Sequence, residues 1–219
     1  MMDREIYTMM KNILVIGAHF DDAELGCGAT MAKLASEGCR VYKLTLTDNV
    51  TNFKQRNISV NFESSLSCSA EACRIIGCEE ITDFPFTPCN ELTYTTEKMQ
   101  EIEKIIFDLH IDTVFAHFYS DLNQDHVAAS KLSLTAARHC ENILYYKSNG
   151  YILSEPFYPT VFFDVSDYYE KKAQALAKYV GDHNRLDRLF DISLTRTDIW
   201  GYANEKKYCE GFVPVKILL

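Results

Sequence analysis

The sequence predicts an α/β domain built on a mainly parallel sheet with helices on both faces. Three observations predict it. Short apolar runs alternate with amphipathic helical stripes along the chain. The first strand-like run, Ile13-Leu14-Val15-Ile16, is apolar at every position, as in a strand covered on both sides. A chain of 219 residues, 47% hydrophobic and 24% charged, suits one domain with a sizeable core.

Taken in order, residues 1–9 are expected to be an N-terminal extension and Ile13 to Gly17 the first strand. A helix is expected from Ala29 to Glu37, closing at Gly38, and a strand from Val41 to Thr47, where Tyr42, Leu44 and Leu46 alternate with polar residues. A polar loop, Asn49 to Asn57, leads to a helix from Phe62 to Gly77. Ile102, Ile105, Ile106 and Leu109 form one stripe of the next helix, which precedes a strand from Thr113 to His117. Asp125 is suited to cap a helix running to Cys140, and strands follow at Ile143 to Tyr146 and Val161 to Val165. The pattern ends with helices from Ser166 or Asp167 to Tyr179 and from Leu186 to Trp200, then a β segment from Phe212 to Leu219.

Composition excludes several functions. With 22 Lys+Arg against 31 Asp+Glu the formal net charge is −9, and no basic patch offsets it, so a nucleic-acid partner is not expected. No apolar stretch approaches the ~20 residues that span a bilayer, and the N-terminus has no secretory pattern, so the expected location is cytoplasmic. The 8 cysteines contain no C-x-x-C pair and are expected to be mostly free thiols.

In open parallel sheets ligands bind beyond the carboxyl ends of the strands. The loop after the first strand reads Ala18-His19-Phe20-Asp21-Asp22-Ala23-Glu24-Leu25-Gly26-Cys27-Gly28, and the one after Thr113 to His117 contains Asp121, Asn123, Asp125 and His126. His19, Asp22 and His126 offer the two imidazoles and one carboxylate of a hydrolytic zinc site, with Asp21 beside the metal-bound water as proton acceptor. The competing reading, an Asp pair that merely caps the following helix, explains neither the His-x-x-Asp spacing nor the second cluster.

The segment His19 to Gly28 resembles the A-H-P-D-D-x-E-x-G-x-G motif of the PIG-L/LmbE-like N-deacetylases, and Asp125-His126 resembles the end of that family's H-x-D-H. Ile75-Ile76-Gly77, Val161 to Leu176 and Tyr208 to Phe212 are further similar stretches, so the likeness covers about residues 10 to 212. The resemblance implies a Rossmann-like, single deacetylase-like domain over 1–219 and a zinc-dependent hydrolase acting on an N-acetylated sugar, nucleotide sugar or glycoside. It implies His19, Asp22 and His126 as metal ligands and Asp21 as general base. Fe2+ or Co2+ suits the same donors as Zn2+. A homo-oligomer is left open.

Three positions depart from the family pattern. Phe20 replaces Pro, Asn123 replaces the first His of H-x-D-H, and Ser65 stands where the family often has a substrate-binding Arg, leaving Arg56 and Lys54 as substitutes. Asn123 can hold an oxyanion but cannot deliver a proton, so the acid is His117, His183 or Asp21 acting twice, with the Asp21 shuttle favoured. The alternatives are a metal-dependent amidase on a non-sugar substrate, a degenerate sugar-binding member, and a nucleotide-binding module suggested by Gly26-x-Gly28. The last is disfavoured because Met31 occupies the third glycine position and two carboxylates would repel a pyrophosphate.

Overall fold

The computed structural model describes residues 10–56, 58–153, 155–180 and 187–218, with the side chains of 56 and 187–189 also outside the description. The expected N-terminal extension and His183 lie outside the described residues. Nine strands and six α-helices are described: β1 (Asn12–Gly17), α1 (Asp22–Ser36), β2 (Arg40–Thr45), β3 (Thr51–Phe53), β4 (Ile58–Val60), α2 (Phe62–Ile76), β5 (Glu79–Ile81), α3 (Thr96–Asp108), β6 (Thr113–His117), α4 (Gln124–Ala136), β7 (Asn142–Tyr146), β8 (Val161–Asp164), α5 (Tyr169–Leu176), α6 (Asp187–Ala203) and β9 (Cys209–Lys216).

Seven strands form one sheet in the order β5-β2-β1-β6-β7-β9-β8. The first five pair in parallel, while β9 runs antiparallel to both β7 and β8. Strand β1 shows why the apolar run is unbroken: Ile13 and Val15 enter a core with α1, α2 and α5, whereas Leu14 and Ile16 enter a core with α3 and α4. The chain turns from β1 to β2 on one side and later places β6 on the other, so the loops after β1 and β6 diverge at a switch in strand order. That crevice is where an α/β sheet binds its ligands.

Local signals explain most boundaries. The Asn61 side chain accepts from Ser64 N–H at the start of α2, and Gly77 ends that helix at φ 88, a left-handed cap that glycine adopts without strain. The Thr95 side chain caps α3 in the same manner.

Several expectations require correction. Helix α1 starts at Asp22, not Ala29, and is broken at Cys27, whose φ −149 and ψ 24 are not helical. The polar loop 49–57 contains the β3–β4 hairpin and a 3-10 turn, Lys54–Arg56. Strand β5 was not expected at all. The N-cap of α4 is Asn123 rather than Asp125, and the helix ends at Ala136. Strand β2 stops at Thr45, α5 begins only at Tyr169, and the last strand begins at Cys209, three residues before Phe212. All 8 cysteines are free.

Candidate active site

Loops following β1, β6 and β7 meet around a cavity of about 410 Å³ lined by His19, Asp21, Asp22, Asn123, His126 and Asn149, among others. Its floor is a cluster in which one ligand atom from each of His19, Asp22 and His126 lies within 4.8 Å of the others. Asp22 sits in the first turn of α1, and its Oδ2 accepts the His19 N–H at 2.8 Å, which folds the β1 loop back onto the helix start. His126, in the first turn of α4, approaches from the opposite side, with Nε2 3.3 Å from Asp22 Oδ1 and 3.2 Å from His19 Nδ1.

Each imidazole also has a carboxylate behind it. His19 Nε2 is 3.2 Å from Asp125 Oδ2, and His126 Nδ1 is 3.2 Å from Asp121 Oδ2. Asp125 is in turn fixed by the N–H groups of Asn90 (2.7 Å) and Leu92 (3.2 Å), and Asp121 by the amide of Asn149 (2.6 and 2.8 Å). Two imidazoles that face each other across a carboxylate while their far nitrogens rest on carboxylates are the donor set and supporting shell of a zinc-class ion. The residues present therefore fit such a metal.

Electrostatics point the same way. Burial opposes a charge on His19, yet its hydrogen bonds with Asp125 and Asp22 outweigh this and hold the imidazole pKa well above its ordinary value. Burial would raise Asp22, but His126 and His117 hold its carboxyl well below the usual range. The carboxylates around His19 thus favour a cationic partner there.

The other predicted residues are placed as follows. Asp21 lines the cavity, and its side chain makes no capping hydrogen bond to α1. Asn123 also lines it, but Oδ1 is occupied as the α4 cap, accepting the Asp125 N–H at 2.9 Å. His117 is buried at 1% exposure behind Asp22; its Nε2 accepts the Ala18 N–H at 3.1 Å and lies 3.2 Å from Asp22 Oδ2, and its ring stacks on His126. Burial, then the neighbouring His126, lowers the His117 pKa. Lys54 is exposed in the 3-10 turn between Phe53 and Ile58, which line the cavity. Arg56 carries a side chain outside the described residues. Ser65, at the position of the family's Arg, is fully buried and accepts from the Asn49 amide at 2.9 Å, so it supports a cavity residue. Phe20, in place of Pro, packs its buried ring against Phe62 and Phe86.

Sequence reasoning missed Asp121 and Asn149 as partners of His126, and Cys89-Asn90 as part of the rim. Asn149 was detectable from the strand-end rule, since it follows β7; the rim segment follows no strand that the sequence signals.

The opposite flank of α1 is closed. Glu24, fully buried, accepts from Lys43 Nζ at 2.7 Å, and that ammonium also donates to Phe20 O, Ser69 Oγ and Tyr179 Oη. At the Cys27 break, Glu210 accepts the Ala29 and Thr30 N–H groups at 3.2 and 2.7 Å, capping the second half of α1 from a strand far along the chain. Lys172 neutralises Glu210 at 2.6 Å and donates to Leu25 O, which Ser193 Oγ also reaches at 2.6 Å. The break also brings Gly26 against Tyr146, where a Cβ would lie 2.1 Å from the ring, so only glycine fits.

Comparison with known proteins bears on both the fold and the family. Residues 14–137 match the family described as PIG-L: GlcNAc-PI de-N-acetylase. An uncharacterized deacetylase of Escherichia coli, YaiS, is 33% identical over 175 residues, covering 77% of this chain and 90% of that protein. Among solved structures, the conserved protein TT1542 from Thermus thermophilus superposes with TM-score 0.77 at 24% identity, covering 96% of this chain and 97% of the other. The N,N'-diacetylchitobiose deacetylase from Pyrococcus horikoshii gives 0.79 at 20% identity, covering 95% and 85%. These two likenesses establish the shared α/β fold.

Proposed function

The chain belongs to the PIG-L (GlcNAc-PI de-N-acetylase) family of deacetylases, and on that premise we propose that it is a metal-dependent N-deacetylase that hydrolyses the acetamido group of an N-acetylated sugar, nucleotide sugar or glycoside. The observation that carries the reading is the convergence of His19, Asp22 and His126 on the cavity floor, with Asp21 beside them. His19, Asp22 and His126 would hold a zinc-class ion, with Fe2+ and Co2+ as other occupants of the same donors. Such an ion, when bound, polarises a carbonyl oxygen and lowers the pKa of water.

This chain's own residues then have distinct tasks. Asp21 accepts the proton of the attacking water and delivers it to the departing nitrogen, because an amine leaves poorly as an anion. His117 is buried behind Asp22 with its Nε2 engaged as acceptor by the Ala18 N–H, and is assigned to packing the site, by its stacking on His126, instead of proton delivery. Asn123, with Oδ1 committed to the helix cap, offers its amide N–H groups to the oxyanion or the substrate. Lys54 and Arg56, on the turn of the β3–β4 hairpin, are the substrate-binding cations of this reading. The formal net charge of −9 accords with a substrate other than nucleic acid; among the described residues no helix is long and apolar enough to cross a membrane. A cytoplasmic location remains part of the proposal.

Acetate release from a panel of N-acetyl sugars, nucleotide sugars and glycosides tests it. Metal-dependent release from at least one class is expected. Release from none of them, alongside turnover of a non-sugar amide, would replace the sugar reading with the amidase one.

A further inference from the structure

Both nitrogens of the His19 ring are engaged, on opposite sides. Nδ1 faces the cluster assigned above, 3.2 Å from His126 Nε2 and 3.3 Å from Asp22 Oδ2. Nε2 faces Asp125 Oδ2 at 3.2 Å, and here a third donor is present: the ligand atoms of His19, Asp125 and Cys89 all lie within 4.8 Å of one another. The Cys89 thiol is held at the cavity rim, 3.4 Å from Asn90 Nδ2 and 3.5 Å from Thr51 Oγ1. His126 differs: behind its far nitrogen stands Asp121, pinned by the Asn149 amide.

We propose that a second zinc-class cation binds on the Nε2 side of His19, held by His19, Asp125 and Cys89, so that the His19 ring bridges two ions. Tetrahedral zinc, with bonds of about 2.0 to 2.3 Å to N, O and S donors, sets its ligands roughly 3.3 to 3.6 Å apart. His19 and Asp125, at 3.2 Å, are within about 0.1 Å of that spacing. Asp125 is held in place by two backbone N–H groups, and a turn of the Cys89 side chain brings in the sulfur. A thiolate, an imidazole and a carboxylate select zinc, cobalt or cadmium over magnesium or calcium. This ion shares the His19 ring with the first and meets its positive charge, so it binds after the first and more weakly. The inference extends the metal reading above, and its test separates the two.

The test is a cobalt titration of the metal-free, full-length protein, followed by visible and near-ultraviolet absorption. Two equivalents are expected: the first with visible ligand-field bands alone, the second adding a thiolate-to-cobalt charge-transfer band. Cys89→Ser is expected to keep the first set of bands and lose the charge-transfer band with the second equivalent. A wild-type titration that ends at one equivalent without the charge-transfer band would overturn the second site and leave the first intact. Retention of that band in Cys89→Ser would overturn the assignment of Cys89. No cobalt uptake in the wild type would remove both sites together.

Discussion

One flank of α1 sets Asp22 against His19, His117 and His126 beside an open cavity, and the other sets Glu24 and Glu210 against Lys43 and Lys172 with all four side chains sealed. Both flanks concentrate charge within a few residues of the same short helix. On the cavity side the carboxylates face imidazoles, groups that a cation replaces as partner. On the sealed side they face ammonium groups, and Glu210 also faces backbone N–H donors, so their charge is matched within the protein. The Asp-Asp-Ala-Glu segment is therefore divided by direction: Asp21 and Asp22 line the cavity, and Glu24 anchors the helix that presents them. A polar motif is not a list of reactive groups.

The comparison breaks most severely at Asp22. Asp22→Ala should abolish acetate release to background, because one of three proposed ligands is gone, while the sealed flank keeps the fold. Metal analysis of the purified variant, with circular dichroism to establish that it is folded, checks this; full metal content would contradict it.

A smaller effect, on stability and not on chemistry, is expected from the sealed flank. Lys172→Met leaves Glu210 buried without its cation, a loss of about 3 to 5 kcal/mol for a broken buried pair. Urea unfolding should show that loss, with the metal stoichiometry of the folded protein retained.

The division of labour was only half legible from sequence. The cavity flank could be read because His19, Asp21, Asp22 and His126 sit in two short segments whose spacing alone suggests ligands. The core of β1 was legible because four apolar residues in a row have one explanation. The start and break of α1 were not, since Glu210 and Lys172, which cap and brace it, lie more than 140 residues away in the chain. Asp121 and Asn149 escaped for a different reason: they lie close in the chain to His126 but act on it through a side-chain relay joining two loops, which spacing does not signal. The β3–β4 hairpin was missed because its strands are 3 residues each, too short for alternation to register.

The smallest expected effect is a pH dependence that sharpens the contrast. Burial opposes the Lys43 charge, but Glu24, followed by Tyr179, holds its pKa well above the ordinary lysine value. A raised lysine contributes stability that is fully present below the unfolded-chain pKa, about 10.4, and is lost as pH rises through the folded value. Unfolding free energy should therefore decline above about pH 10.4. A flat profile across that range in urea titrations would remove the ammonium of Lys43 as a stabilising element.

The central claim is that neighbouring carboxylates do different work, Asp22 on the metal and Asp21 on the water. It is tested most directly by counting metal and acetate release in the same sample of Asp21→Asn. The account predicts wild-type metal content with a rate lower by about 10² to 10⁴, the usual contribution of a positioned acid or base. Full metal with a wild-type rate, or loss of the metal itself, would contradict it.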